Sequence, residues 1–126
     1  MRWKHVLFGS LVALALAACG VSPQAGQLAR QQTALLAATP KDDAGVRQAL
    51  LGQAAAWNTL DGLLVKQQLG GMPVGEDFRA VVADVAALAR RQRALIAAGE
   101  DDPATNRVVL ERMRKMWNEV GVYLGR

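Results

Sequence analysis

Two clusters of acidic side chains are the residues of this sequence best suited to proton-transfer chemistry. Asp42 and Asp43 are adjacent, and Glu100, Asp101 and Asp102 form a second run sixty positions later. Two carboxylates can act as general acid and base when their environments separate their pKa values. Each cluster, however, lies beside a proline and ahead of an amphipathic stretch, where aspartate caps a helix and complements its dipole. Capping explains both clusters, so we predict that the protein is not an enzyme.

Histidine and cysteine, the usual ligands of zinc and haem, occur once each. His5 lies in an N-terminal segment with the features of a removable signal, and Cys19 stands at its end. The sequence has no CxxC spacing, no phosphate-binding glycine loop and no G-x-S-x-G nucleophile motif. We therefore expect no cofactor and no metal.

The first eighteen residues are typical of a secretory signal. Arg2 and Lys4 supply positive charge, and an apolar run from Val6 to Ala18 ends in small residues. This run is too short to cross a bilayer. We expect residues 1–18 to be removed, which takes away Arg2 and Lys4. The fifteen basic residues then become thirteen against eleven acidic ones, a net charge of +2, and nothing calls for nucleic acid.

The residues Leu16-Ala17-Ala18-Cys19 resemble the lipobox of bacterial lipoproteins. The resemblance implies that Cys19 is lipidated on sulfur, becomes the N-terminus after cleavage and is then acylated; the alternative is a small buried hydrophobe. Several acyl chains on one residue give stable anchoring to a membrane. Gly20 in the second mature position resembles outer-membrane sorting in Gram-negative bacteria. The resemblance thus implies a domain anchored at the outer membrane that faces the periplasm.

The mature sequence contains an internal duplication with a period of sixty residues. Residues 28–38 read LARQQTALLAA and residues 88–98 read LARRQRALIAA, and fifteen of thirty-seven positions are identical between 28–64 and 88–124. Each copy has the helical spacing of apolar residues. We predict an all-α, up-down four-helix bundle built from two duplicated αα-hairpins, at about 24–69 and 76–124 within a domain over 24–126, after a tether over 19–23.

Local signals place the ends of the four helices. Ser22 and Pro23 start the first helix, which runs to about Ala38, and a turn over 39–43 leads into the second. The second helix ends at Leu69 before the glycine-rich segment 70–75. Glu76 begins the third helix, Gly99 stops it, and Asp102 with Pro103 starts the fourth. Short turns predict that the anchor, the middle segment and the C-terminus share one pole, with both acidic turns at the other.

The repeated phrase predicts which faces of the first and third helices point inward. Leu28, Gln32 and Leu35 fall on one face, and Leu88, Gln92 and Leu95 are their counterparts. We expect the leucines and glutamines to face the interior, the alanines to permit close approach, and Arg30 and Arg90 to point away.

The glutamines of these faces, together with residues of the second and fourth helices, allow two interpretations. Gln32 and Gln92 either form buried hydrogen bonds, conceivably with each other, that fix the helix register, or contact a small ligand inside the bundle. Trp57 and Trp117 are either core aromatics or the wall of a pocket. Gln53 begins a stretch of small residues, Gln53 to Ala56, whose counterpart is bulkier, so either the backbones pack closer there or a cavity exists. The candidate ligand pocket comprises Gln32, Gln53, Trp57, Gln92 and Trp117.

Arginines concentrate in the second hairpin. Arg90, Arg91 and Arg93 lie late in the third helix, and we expect Arg112 of the fourth helix nearby. They form either a solvated face that complements the helix dipole or a docking surface for an acidic partner.

Resemblance beyond the lipobox is confined to architecture. The helical pattern with a late tryptophan is similar to the helical periplasmic modules of bacterial chemoreceptors and nitrate sensors, although a spanning helix and a signalling segment are missing. Size and anchoring resemble the lipoprotein pilotins that escort secretins. Architecture does not determine function. We expect a non-enzymatic lipoprotein that presents its bundle to a periplasmic or envelope protein; the alternative is a carrier or sensor of a small apolar ligand held within the bundle.

Overall fold

The computed structural model describes residues 23–38, 42–69 and 75–124 and contains four α-helices in that part of the chain. The helices are α1 (Pro23–Ala37), α2 (Asp43–Leu69), α3 (Glu76–Ala97) and α4 (Pro103–Leu124). The predicted signal segment, Cys19 and the tether up to residue 22 lie outside the described residues. None of the helices in the described ranges has the length and apolar character that crossing a bilayer requires.

The four helices form the predicted all-α bundle, and the closest packing crosses between the hairpins. α2 runs along α3, and α1 runs along α4, whereas α1 and α2 of the first hairpin pack less extensively. The duplication relates these pairs, because a half-turn that exchanges the hairpins converts the α1–α4 contact into the α3–α2 contact. α2 also contacts α4 along the diagonal. The pseudo-twofold axis therefore passes between α2 and α4.

The helix ends follow the local signals in the sequence. Asp102 caps α4, because its Oδ2 accepts hydrogen bonds from the backbone N–H and the hydroxyl of Thr105, both at 2.9 Å. α3 is followed at its C-terminus by Gly99, whose φ of 70° is a left-handed conformation that glycine adopts without strain. The Glu100 N–H then bonds the carbonyl of Leu95 at 2.9 Å, which closes a Schellman motif. These ends confirm the predicted break between α3 and α4.

Small side chains, chiefly alanines, form the innermost face of α1 and α3. The prediction that Leu35 and Leu95 point inward is wrong, since they are 57% and 39% exposed. The fully buried apolar positions are Ala25 and Ala29 on α1 and Val82, Ala86 and Ala89 on α3, and Leu36 is 5% exposed. A methyl side chain lets two helix backbones approach closely, so the alanine faces pack against α4 and α2. The longer leucines consequently move to the flanks, where the helices of one hairpin stand further apart.

The interior faces of α2 and α4 carry apolar stripes. Leucine, valine and methionine side chains surround two tryptophans there, and the buried members are Val46, Leu50, Trp57, Leu60, Leu64, Val109, Leu110, Met113, Trp117, Val120 and Leu124. Burial of this apolar surface supplies the main driving force for packing the four helices.

Two ion pairs hold the acidic turns together at one pole. Nε of Arg47 lies 3.2 Å from Oδ2 of Asp101, and Arg107 pairs with Asp43. Arg47 and Arg107 are equivalent in the duplication, so each arginine reaches the turn of the other hairpin. At the opposite pole the N–H of Gly75 donates to Oη of Tyr123 at 3.1 Å. The up-down order therefore separates the two poles as predicted.

Candidate functional site

Two tryptophans from equivalent positions stack on each other at the centre of the bundle. Trp57 of α2 and Trp117 of α4 have ring centroids 4.0 Å apart and planes inclined by 25°. Both side chains are fully buried. Because α2 and α4 meet across the pseudo-twofold axis, each ring occupies the space that a ligand would need beside the other. The aromatic pair is therefore part of the core.

Gln53 satisfies the hydrogen-bonding groups of both tryptophans. Its Oε1 accepts from Nε1 of Trp57 at 3.1 Å and from Nε1 of Trp117 at 2.8 Å. Its Nε2 donates to Oε1 of Gln32 at 2.9 Å. One buried amide thus connects α1, α2 and α4 and leaves neither indole N–H without an acceptor.

The five residues of the predicted ligand pocket divide into two groups. Gln32, Gln53 and the two tryptophans form one network, whereas Gln92 belongs to another. The hydrogen bond considered above between Gln32 and Gln92 is not formed. Gln32 instead accepts a bond from Gln53, and Gln92 donates one to Asn106. In the first group the side chains fill the interior with their own contacts. The small residues after Gln53 accompany close packing of α2 on α3.

Gln92 begins a chain of hydrogen bonds that leads from the core to the pole with the acidic turns. Its Nε2 donates to Oδ1 of Asn106 at 2.5 Å, and Nδ2 of Asn106 donates to Oδ2 of Asp101 at 2.8 Å. The same carboxylate oxygen accepts from Nε of Arg47. The chain links α3, α4, the second turn and α2. Each buried amide in it has a partner, which suits a structural role in fixing register.

The carboxylate of Asp101 is held in its charged form. The hydrogen bond from Asn106, together with that from Arg47, lowers the pKa of Asp101 below its ordinary value, although partial burial opposes the change. The pKa of Asp102 is also lowered, chiefly by the backbone N–H of Thr105. Both carboxylates therefore accept hydrogen bonds at neutral pH and are poor proton donors.

Asn106 is absent from the residues predicted to matter, and Asp101 is expected from the sequence only to contribute to helix capping. A signal existed, because Asn106 stands where the first copy has Val46, and both positions are buried. A polar residue that replaces an apolar one between duplicated helices requires a partner in its own copy. That comparison would have directed attention to Gln92 and Asp101.

The four arginines of the predicted partner surface have different surroundings. All four are exposed, but Nη1 of Arg90 donates to Oδ1 of Asn58 on α2 at 2.6 Å. Arg112 lines a shallow depression along α4 with Arg107, Val108 and Lys115. Arg91 and Arg93 stand on α3 beside Arg90. Arg90 thus contacts α2, whereas Arg112 lies beside residues of its own helix.

An apolar groove of about 470 Å³ lies between the start of α3 and the end of α4. Phe78 and Tyr123 stack in it with ring centroids 3.8 Å apart. Val81 and Met116 contribute further apolar surface, and Val122 at the outer edge is 64% exposed. The spacing of these residues in the sequence does not distinguish them from apolar residues of the core.

The first hairpin has a smaller and more polar depression, and only its α2 wall is equivalent to part of the groove. It measures about 290 Å³ and is lined by amides, a hydroxyl and two leucines: Gln24, Gln27, Gln31, Thr59, Leu28 and Leu63. Leu63 and Tyr123 are equivalent in the duplication. The two hairpins therefore present surfaces of different chemistry.

Comparisons with protein-family models, with characterised proteins and with solved structures found no match to this chain. Its functional interpretation consequently depends on its own residues and their geometry.

Proposed function

We propose that this protein is a non-enzymatic outer-membrane lipoprotein that tethers a helical bundle and presents it to a periplasmic or envelope protein. The observation that carries the proposal is the lipobox-like Leu16 to Cys19 only four residues before the start of α1 at Pro23. Four residues span at most about 14 Å. An acylated Cys19 would therefore hold the pole with the Phe78–Tyr123 groove next to the membrane, and the paired acidic turns would face away.

The filled interior supports presentation to a partner over storage of a ligand. A carrier of a small apolar molecule needs space beside Trp57, and that space contains Trp117 and Gln53. The exposed surfaces differ in charge and apolarity instead. The arginines Arg90, Arg91 and Arg93 offer one contact surface for an acidic protein, since guanidinium groups form bidentate bonds with carboxylates.

The anchor is tested by metabolic labelling with a fatty acid analogue. We expect the protein to incorporate label and to fractionate with outer membranes, and we expect Cys19→Ala to abolish both. Ser22→Ala, a nearby change outside the lipobox, is the control and should retain the label. Labelling of the Cys19→Ala protein would refute the proposal of a lipid anchor at this residue.

The partner is tested by crosslinking in living cells followed by mass spectrometry. We expect a protein recovered with the wild-type chain, and a loss on charge reversal of Arg90, Arg91 and Arg93 to glutamate if the arginine surface makes the contact. Arg30→Glu, the counterpart of Arg90 in the first hairpin, is a matched control. Unaltered recovery with the triple variant would exclude this surface.

A further inference from the structure

We propose that the groove between α3 and α4 binds an amphipathic helix of a partner protein that carries lysine or arginine beside its apolar face. This inference rests on the proposed role in presenting the bundle to a protein and names the chemistry of one contact. It concerns a surface separate from the arginines of α3. The groove has an apolar floor and an acidic rim, and these two features determine the occupant.

The floor provides apolar area that no part of the described chain covers. Phe78 and Tyr123 are half-buried beneath it, and Val81 and Val122 are exposed at its sides. Val122 keeps 64% of its surface exposed although it lies within one turn of the buried Val120. The groove thus brings apolar side chains of both helices onto one strip. A groove between two helices accepts a third helix through side chains spaced i, i+3, i+4 and i+7.

The rim provides the charge. Asp77 and Glu119 both line the groove, one on each helix, and both side chains are exposed. Neither forms an ion pair within the described residues. Two carboxylates on opposite sides of an apolar strip complement cations on both flanks of an amphipathic helix. The same carboxylates disfavour an anionic lipid surface, which would be repelled.

Several residues of the groove are specific to the second copy of the duplication. Phe78 and Val81 lie in the first two turns of α3, and their counterparts, Ala18 and Val21, lie outside the described residues. On α4, Met116 and Val122 stand where α2 has Ala56 and Gly62. The α4 wall is therefore more apolar than the equivalent part of α2, and Tyr123 within it accepts a hydrogen bond from the backbone of Gly75.

The test is a binding titration with a designed peptide. The peptide has about 18 residues, with leucines at i, i+3, i+4 and i+7 and lysines on both flanks, and carries a fluorescent label. The whole chain is used as cells produce it, in nanodiscs of neutral lipid that accommodate any anchor. We expect saturable binding, and an increase in Kd of about tenfold or more for Val122→Glu, because that change places a charge in the apolar contact.

Matched variants separate the groove from the rest of the surface. Val108 lies on the same helix and is 69% exposed, so Val108→Glu is the control and should change Kd by less than about twofold. Asp77→Asn combined with Glu119→Gln should weaken binding several-fold at low salt and remove most of the salt dependence. A peptide with glutamate in place of each lysine should bind more weakly than the lysine peptide.

Four results would overturn the inference. The first is the absence of binding at roughly 1 mM peptide, the weak limit for a specific contact. The second is equal binding of the lysine and glutamate peptides, and the third is equal peptide binding by wild type and Val122→Glu. The fourth is co-sedimentation with anionic vesicles that Val122→Glu abolishes, which would assign the groove to lipid.

A photo-crosslinker at Val122 distinguishes failure of this inference from failure of the proposed function. We expect a protein adduct from Val122 in living cells and a weaker one from Val108. An adduct from Val108 or from the α3 arginines alone would refute the groove and leave the tether proposal standing. If no position on the bundle gave a protein adduct, the proposed function itself would fail.

Discussion

The two hairpins share one sequence pattern but differ in their buried polar networks and in parts of their exposed surface. Both contribute a tryptophan to the central stack and an arginine that reaches the turn of the other hairpin. The first hairpin alone supplies Gln53, the acceptor for both indoles, while Met113 is its counterpart. Within the described residues, the second alone supplies the Gln92 chain and the acidic-rimmed groove. The shared residues thus include the aromatic stack and the two ion-pairing arginines, and the differences concentrate at polar networks and surfaces.

The largest expected loss of stability comes from replacing Gln53 with methionine, the residue that the second copy has at the equivalent position 113. Gln53→Met removes the acceptor of Trp57 and Trp117 and the donor to Gln32. Leaving two buried donors unsatisfied should lower the free energy of unfolding by about 2–5 kcal/mol. Urea denaturation followed by tryptophan fluorescence measures this loss. Met113→Leu, the equivalent position in the second copy, is the control and should cost less than about 1.5 kcal/mol. A stable Gln53→Met protein would contradict the role of the amide.

The second copy can be made to resemble the first at Asn106. Asn106→Val introduces the residue found at position 46 and leaves the amide of Gln92 without its partner, which should cost about 1–3 kcal/mol. Adding Gln92→Leu removes the stranded amide as well and should recover much of the loss. Thermal denaturation of the single and double variants gives the coupling. If the stability changes caused by Asn106→Val and Gln92→Leu are additive, the two amides are not energetically coupled.

The pH dependence of stability tests the turn of the second hairpin. Folding lowers the pKa of Asp101, so its contribution is complete above the unfolded pKa of about 3.9 and is lost as pH falls through the folded value. We expect Asp101→Asn to be less stable than wild type at pH 7 and the difference to shrink below about pH 4. Denaturation midpoints between pH 7 and pH 2.5 measure it. A difference that stays constant to the lowest pH would refute this assignment.

The smallest effect is expected from the two equivalent arginines. Arg107 and Asp43 are both about half exposed, so Arg107→Gln should cost at most about 1 kcal/mol and less at high salt. Arg47 pairs with a carboxylate that is only 5% exposed and also accepts from Asn106, so Arg47→Gln should be the more destabilising change. Parallel denaturation at 50 and 500 mM salt compares them. Equal losses of stability for Arg47→Gln and Arg107→Gln would contradict the prediction that the more buried ion pair contributes more.

Helix number, order and ends could be predicted because they depend on local signals. Pro23, Asp102 and Gly99 act on backbone groups within a few residues, and the structure places helix boundaries beside all three. The inward faces of α1 and α3 could not be predicted so well. Whether an alanine or a leucine is innermost depends on the distance to the neighbouring helix, and that distance is a property of the whole bundle.

The site was less predictable than the fold for a similar reason. Gln53, Trp57 and Trp117 were identified from their spacing, but their mutual bonds arise only when α2 and α4 meet. Gln92 has more than one amide within the interior that could be its partner, and the packing of α4 selects Asn106. The groove forms where the first turns of α3 meet the last turns of α4. The lipid anchor depends on residues outside the described ranges and stays a prediction.

The packing between hairpins has a consequence for how the chain assembles. Because α2 packs on α3 and α1 on α4, each hairpin finds its most extensive contacts in the other one. A chain split within residues 70–74 should therefore behave as two fragments that are weakly structured when separate and regain helicity when mixed. Their reassociation should depend on concentration, as in a heterodimer. Circular dichroism on mixing would reveal whether the covalent link chiefly raises the effective concentration of one half for the other.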